Sequence, residues 1–548
     1  MNEETDEIVM GQIVDTPSPT PQKPSPSLNE IDDSQPVRGR EAVALVLLVV
    51  LCDLTIYRGQ GMAGFALLFV AAPVLLLSGA PRPHGGMRLG IVVLMLTAIA
   101  ARTFWCGTEL QVATGFVLIV AVAMTLAGAC PHVLGLGLFA SQTVVAGGGG
   151  LLHYWRYACR KAPRISRKTE LSILLPVVAF SLFSLIFVLA NPYLQSDLGE
   201  YLQDFFRTIG DWFRDTAPGP GEVFFWCVVL WVAVGLLRPV LPAEFFKETP
   251  TNRQDVASDD APATEYYLYA AFRNTLLTVI CLFAAYLVFE FKTLWFREFP
   301  VGFYYAGYAH EGSAWLTLAL ALATAILSVV FRGSLLCDPR LPTLRRLAWI
   351  WSIENFLLAA AVYNRLFIYI NFNGLTYMRI VGIFGMSTVV VGFVLVLWKI
   401  AYNRSFTWLL RRHLWTLALA IFVFALTPVD AIWVRYDVWR VMSGDLAPSV
   451  QIEVHPVDAE GILFVEPLLN CEDTTIREGV KAMLAEREVR METRARGRKN
   501  RGWTAIRLAD DVLLRRLRQR SASWSDYRDP ARRNATRQRF HDYAWQWY

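Results

Sequence analysis

The stretch YNRLFIYINFNGLTYMRI, residues 363–380, lies between two long apolar runs and carries Asn364, Arg365, Asn371, Asn373 and Arg379. Asn373-Gly374 inside it suits the left-handed conformation in which a helix ends. The stretch therefore reads as a helical hairpin: one long helix closes, the chain turns, and a second opens. The flanking runs, 347–370 and 379–398, are each long enough to cross a hydrocarbon core of roughly 30 Å. In this reading the asparagine side chains satisfy backbone groups freed at the turn. The competing reading makes the same polar groups the lining of a path or pocket.

Working outward, the 548-residue chain is 54% hydrophobic and 18% charged, with 18 Trp and 33 Phe, more apolar than a soluble globular protein needs. The expected fold is an all-α integral membrane helical bundle of about 11 transmembrane helices, roughly 10 to 12, with a small mixed α/β or α extracytoplasmic C-terminal domain. Spans are expected at 41–57, 62–79, 88–104, 111–130, 170–190, 222–241, 267–291, 313–331, 347–370, 379–398 and 413–429. The glycine-rich segment 131–151 is apolar enough for a further span, or for a re-entrant or interfacial segment. Charge chooses between these counts, because Lys and Arg in short loops collect on the cytoplasmic side. The basic loops 152–169, 332–346 and 399–412 share the N-terminal side only if 131–151 does not cross. Loop 191–221 is acidic and 371–378 is uncharged, which fits the same assignment. The expectation is an inner-membrane protein with a cytoplasmic N-terminus and an extracytoplasmic C-terminus.

Five regions follow. Residues 1–40 are polar and Pro/Ser-rich, a disordered cytoplasmic tail by composition. Residues 41–169 hold the N-terminal spans and a basic loop, and 170–430 the transmembrane core. Residues 431–490 form a soluble C-terminal domain, in which SVQIEVHPVDAEGILFVEPLLNC alternates enough to suggest one or two strands. A capping box, Thr475 to Glu478, opens a helix after them. Residues 491–548 form a basic helical tail with a helix expected at 503–520. From residue 487 onward there are 17 Lys/Arg against 7 Asp/Glu, while the whole chain carries +5. The connection 191–217 has the spacing of an amphipathic surface helix.

A charge in lipid costs several kcal/mol unless it is paired or hydrated. The candidate polar intramembrane site is therefore Arg273, Glu354, Asn355, Asn364, Arg365, Asn371, Asn373 and Arg379. Glu354 and Arg365 are separated along a helix by about 16 Å and need other partners, drawn from Arg273, Glu290, Asp53 and Arg102. Arg365 and Arg379 are near enough to helix ends to snorkel. No catalytic pattern is recognised. His310-Glu311 lacks the second His of a zinc helix, and Gly135 to Ala140 lacks the βαβ unit of a dinucleotide site. Neither a cofactor nor a metal is expected.

NRLFIYINFNGLTYMRI resembles a motif of two bacterial membrane families, the domains of unknown function 4153 and 4173. Other stretches are similar to the same families in matching order: LANPYL (189–194), FPVGFYYAGYAHEGSAWLTL (299–318), DAIWVRYDVWRV after the last span, and PLLNCEDTTIREGVKAMLA (467–485). Ser313 departs from the pattern, where a Phe would follow the Gly. Together these cover roughly 170–490, leaving the first four spans and the basic end outside. The resemblance implies an integral bacterial membrane protein and carries over no catalytic residue.

Function is expected to be that of a transporter or channel-like component. The alternative is a non-catalytic cell-envelope or regulatory protein binding a partner through its basic C-terminal part. A membrane enzyme using Tyr308, His310 and Glu311 is a third reading, weakened by the missing acid/base or metal constellation. The expected partners are membrane lipids, with anionic lipid or an envelope polymer at the basic tail. Nucleic acid is not expected on an extracytoplasmic surface.

Overall fold

The computed structural model describes residues 38–59, 61–81, 83–84, 86–161, 176–181, 218–239, 266–292, 305–330, 340–402, 404–498 and 502–547. The chain divides into Met1–Pro36, outside the described residues, and Val37–Tyr548, the unit described below. The surface helix expected within 191–217 also lies outside the described residues.

Among the described residues there is no strand. The helices are α1 (Gly39–Cys52), α2 (Met62–Gly79), α3 (Gly86–Cys106), α4 (Glu109–Leu126), α5 (Val133–Lys161) and α6 (Pro220–Leu237). They continue with α7 (Tyr266–Glu290), α8 (Tyr305–Val330), α9 (Leu341–Asn373), α10 (Tyr377–Tyr402) and α11 (Phe406–Leu426). Nine of the helices among the described residues are long and apolar enough to cross a membrane, and a shorter apolar stretch, Ala314–Leu327, lies in α8. The rest forms a helical cap: α12 (Val429–Met442), α13 (Ser449–Val454), α14 (Ala459–Ile462), α15 (Thr474–Arg498), α16 (Leu508–Gln519) and α17 (Pro530–Ala544).

The bundle alternates in direction. Tyr377 and Phe384 at the start of α10 stack edge-on against Phe424 near the end of α11. Arg340 before α9 lies over the ring of Tyr269 near the start of α7, so α7 and α9 begin at one end and finish at the other. That second end carries the cap. Gly61 before α2 abuts Thr504 and Ala505 so closely that an added Cβ would sit 2.6 Å from backbone atoms. Arg507 donates to the carbonyl of Gly107, between α3 and α4, at 3.2 Å. One apolar core runs from Leu358, Val362, Leu366 and Ile380 in the bundle to Val434, Ile476, Val480, Leu513 and Phe540 in the cap. Burial of this shared surface is what holds cap to bundle.

The glycine-rich segment is one continuous helix, α5, and its contacts hold it across a single end of the bundle. Gly135 packs by Met124, and Phe139 is buried with Met124 and Leu236. An added Cβ on Gly235 would lie 2.1 Å from the Thr143 carbonyl oxygen, and Trp231 donates to the Val144 carbonyl at 2.7 Å. Farther along, Tyr154 donates to Glu41 in the first turn of α1, and Glu41 also takes Arg238 at 2.7 Å. These partners lie at the ends of α4 and α6 and at the start of α1, the end away from the cap. From Trp231 to Leu237, α6 rises only about 9 Å.

Three local expectations are corrected. The alternating stretch after Ser449 folds as the short helices α13 and α14 and a 3₁₀ turn, Glu466–Asn470, not as strands. The mixed α/β alternative for the C-terminal domain therefore gives way to an all-helical one among the described residues. The helix of the capping box starts at Thr474, so Thr475 lies inside the first turn, and the capping acceptor is Asp473, which takes the Ile476 N–H at 2.9 Å. An Asp before the first turn is an equally good acceptor there. The helix expected at 503–520 is a 3₁₀ turn, Trp503–Ala505, followed by α16.

Candidate functional site

The hairpin turn is where bundle and cap meet. α9 ends at Asn373, and Gly374 follows with φ +104°, its N–H donating to the Ile370 carbonyl at 2.8 Å. A turn of this kind frees carbonyls at the end of one helix and N–H groups at the start of the next. The expectation that asparagine side chains satisfy them is corrected. Leu375 N–H donates to Asp437 Oδ1 at 2.7 Å, and the guanidinium of Arg440 donates to the carbonyls of Ile370 and Asn371 at 2.6 Å each. Arg379 donates to the Gly374 carbonyl and, at 2.6 Å, to Asn373 Oδ1. Asn373 in turn donates to the Trp547 carbonyl at 3.2 Å. Asn371 is exposed and enters only through its backbone. At the carbonyls and at Asn373 Oδ1 the donors are the guanidinium groups of Arg379 and Arg440, because a hydrogen bond from a charged donor is roughly twice as strong as a neutral one.

Asp437 is fully buried, and its second oxygen has no hydrogen-bond partner among the described residues. Burial pushes its carboxyl up to about 8; the Leu375 N–H and the guanidinium groups of Arg379 and Arg440 pull the other way. Any side chain at position 374 would collide with it, since an added Cβ would lie 2.6 Å from Asp437 Oδ1 and 2.9 Å from Pro448. The only residue free of that Cβ is also the one that tolerates positive φ.

Deeper in the bundle, Arg365 is paired with Glu290. Nε donates to one carboxylate oxygen at 2.7 Å, Nη2 donates to the other, and Nη2 also donates to the Tyr286 hydroxyl at 2.8 Å. Tyr286 donates to Glu290 at 2.9 Å, closing the network. The side chains of Arg365 and Glu290 are 3% and 0% exposed, so the snorkelling expected of Arg365 does not occur. Arg379 does not snorkel either: it is buried with its guanidinium 3.6 Å over the Tyr369 ring. Both arginines find acceptors inside the protein, which removes the reason to reach for water.

The remaining candidates are scattered. Asn355 is fully buried and donates back to the Trp351 carbonyl at 2.8 Å. Glu354 beside it is half-buried, with one oxygen unpartnered among the described residues. Asn364 is half-buried next to Arg365. Arg273 is exposed on α7 and bonded to its neighbour Asn274, about 25 Å along the helix from Glu290. The structure thus brings Asn373 and Arg379 together, joins Arg365 to Glu290, and leaves Arg273, Glu354 and Asn355 apart. Tyr308, His310 and Glu311 are on α8, and their side chains lie outside the described residues.

Sequence reasoning missed the contribution of the cap. Asp437 and Arg440 belong to DAIWVRYDVWRV, a stretch noticed for its resemblance but not for its charges. The same stretch contributes Asp430 to a cleft of about 340 Å³ between bundle end and cap, which is also lined by Arg102, Glu109, Gln111, Tyr377, Asp458 and Glu460. Arg102 pairs with Glu460 at 2.6 Å. Asp430 accepts from Trp433 Nε1 at 3.0 Å and from the Asp458 N–H at 2.8 Å, and burial pushes its carboxyl up. No group of three or more His, Cys, Asp or Glu suited to a metal occurs among the described residues.

The basic residues of the cap divide into two sets. Arg487 and Arg507 turn inward, donating to the Val457 and Gly107 carbonyls at 3.0 and 3.2 Å, and Arg537 pairs with Glu453 at 2.8 Å. Arg494, Arg515, Arg528 and Arg539 are exposed, with no ion pair to an acidic side chain among the described residues. Around them Arg516 and Arg520 share Glu466, and Arg496 and Arg518 share Glu492. Such solvent-exposed pairs are weak and easily exchanged.

A family model for a domain of unknown function (DUF4153) matches residues 42–455. The chain belongs to this family. The match extends the family over the first four helices, which the quoted motifs had left outside it, and stops at His455 rather than near residue 490. Within the family region lie both helices of the hairpin, the Arg365–Glu290 pair, and Asp437 and Arg440 of the clamp. No curated protein and no solved structure matches the chain. The nine apolar helices among the described residues and the family together describe a multi-pass membrane protein of unknown-function class.

Proposed function

We propose that this family member is a non-catalytic membrane protein of the cell envelope that holds an anionic envelope polymer through the exposed arginines of its cap. The observation that carries this reading is the set of exposed arginines, Arg494, Arg515, Arg528 and Arg539, on helices fused to the membrane bundle by one continuous core. Guanidinium groups suit planar, bidentate recognition of phosphate or carboxylate. Support for an extracytoplasmic cap comes from charge. Arg340, Arg345, Arg346, Lys399, Arg404, Arg411 and Arg412 lie at the ends of helices opposite the cap, where the positive-inside tendency puts the cytoplasm. In this topology α1 to α4 and α6 to α11 cross, and α5 lies along the cytoplasmic surface. The transport reading loses weight because Arg365, Asn373 and Arg379, which a path would need, are engaged in joining helices to one another and to the cap.

The test is titration of the full-length protein, in nanodiscs of neutral lipid, with a polyglycerol-phosphate polymer and an uncharged control polymer. Binding is expected for the anionic polymer alone, weakening with added salt. It should fall about tenfold or more, roughly 1.4 kcal/mol, when Arg494, Arg515, Arg528 and Arg539 are all changed to Gln. Binding indifferent to those four substitutions, or a solute flux in sealed vesicles that Arg365→Ala abolishes without loss of folded protein, would overturn the reading.

A further inference from the structure

α12 starts at Val429, three residues after α11 ends at Leu426, so its first turn is held at the end of the bundle that carries the cap. Its two faces differ sharply. Ala431, Val434, Asp437, Val438 and Val441 are buried against hairpin and cap. On the other side Ile432, Arg435, Trp439 and Met442 recur at the spacing that shares one helix face. Ile432 is 43%, Trp439 63% and Met442 43% exposed, and Arg435 is exposed among them. Tyr436 leans on Trp439 with ring centroids 6.1 Å apart. This apolar stripe is continuous in level with the hairpin. Arg440 of the same helix is bonded to the Ile370 and Asn371 carbonyls, and Met378, at the start of α10, is 68% exposed.

We propose that α12 is an interfacial helix, its Ile432, Trp439 and Met442 face lying in the headgroup–acyl boundary of the leaflet on the cap side and Arg435 meeting lipid phosphates. The occupant is lipid for three reasons. The stripe begins where a membrane helix ends, so the bilayer surface is already there. It is tied to the tip of a hairpin whose own outer face is apolar. Its composition, Trp and Tyr with a single cation, is that of side chains which favour the interface. A monomer tolerates such a stripe only when something apolar covers it. The consequence is mechanical: α12 sets the depth of the cap, and since Asp430 belongs to the same helix, the cleft it lines lies at the level of the lipid headgroups. This inference stands on α12 alone and does not depend on the exposed arginines of the cap.

The experiment uses spin labels on the full chain, with its native cysteines replaced by Ser, in nanodiscs. Ile432→Cys, Trp439→Cys and the exposed cap position Ser525→Cys are labelled one at a time, and collision with oxygen and with a water-soluble nickel chelate is measured. Labels at 432 and 439 should favour oxygen while the label at 525 favours the chelate. Equal chelate access at all three positions would sink the proposal. So would spin–spin broadening at 439 that disappears on dilution with unlabelled protein, since a second copy would then cover the stripe. A second measurement keeps the native cysteines: Trp439→Phe should remove a fluorescence component that brominated lipids quench, and unchanged quenching counts against lipid contact.

Discussion

Arg365 and Glu290 sit where a lone charge is most costly, and each is the other's reason to be there. Removing one partner of a buried pair leaves the other uncompensated, at about 3–5 kcal/mol. Arg365→Ala is therefore expected to lower the yield of monodisperse protein, and Arg365→Leu combined with Glu290→Leu to recover most of it, as read by size-exclusion profiles in detergent. Recovery of neither would show that the pair does more than neutralise itself. Asp437 makes a different statement. Its folded value is raised from the ordinary 3.8 to about 8, so the folded protein keeps a proton that the unfolded chain gives up. The stability this confers is complete below the unfolded value, drains away as pH rises from about 4, and is gone above about 8. Glu453, pushed up to about 7 by burial, tilts the curve the same way. The melting temperature should fall across that window, and Asp437→Asn, which can still accept from Leu375 N–H, should flatten part of the fall. An unchanged slope in the variant would remove Asp437 from the account.

Among the elements, the hairpin was legible and α5 only partly. Asn373-Gly374 between two apolar runs announced a helix end because few residues other than glycine accept positive φ. The clamp that closes the turn was not legible, since Asp437 and Arg440 lie more than 60 residues downstream of the turn they serve and no local spacing links them. The strands expected after Ser449 failed for a related reason. α13 and α14 have six and four residues, too few to display a 3.6-residue period, and Val450 and Ile452 are buried by what surrounds them rather than by the pattern of their own helix. For α5, length and hydropathy are those of a crossing, whereas its contacts place both halves at one end of the bundle. Leu138 and Trp155, 51% and 70% exposed, are the positions to ask. Leu138→Cys and Trp155→Cys should both react with an impermeant thiol reagent only from the cytoplasmic side. Reaction from opposite sides would mean that α5 crosses, since 17 residues of helix rise about 25 Å.

At the scale of the whole molecule, the clustering of Lys and Arg at the end opposite the cap is the ground for the proposed orientation. A reporter active only outside the cytoplasm is expected to be silent after residues 150 and 400 and active at the C-terminus. An active fusion at 150 with a silent C-terminus would turn the cap inward and replace the envelope polymer by cytoplasmic partners. By itself the sequence determined what depends on composition and short-range spacing: a membrane bundle, the hairpin at 363–380, a basic C-terminal part, and membership of a family without a known activity. These are properties that hydropathy and backbone stereochemistry impose on any chain with these residues. Tertiary structure alone decided which charges meet. It paired Arg365 with Glu290, turned Arg440 and Asp437 onto a helix end far away in the chain, sent Arg487 and Arg507 inward while leaving Arg494 and Arg539 outside, and made one core of bundle and cap. The physical reason is that desolvated charges must find partners in space, and partners in space leave no mark on the spacing of residues along the chain.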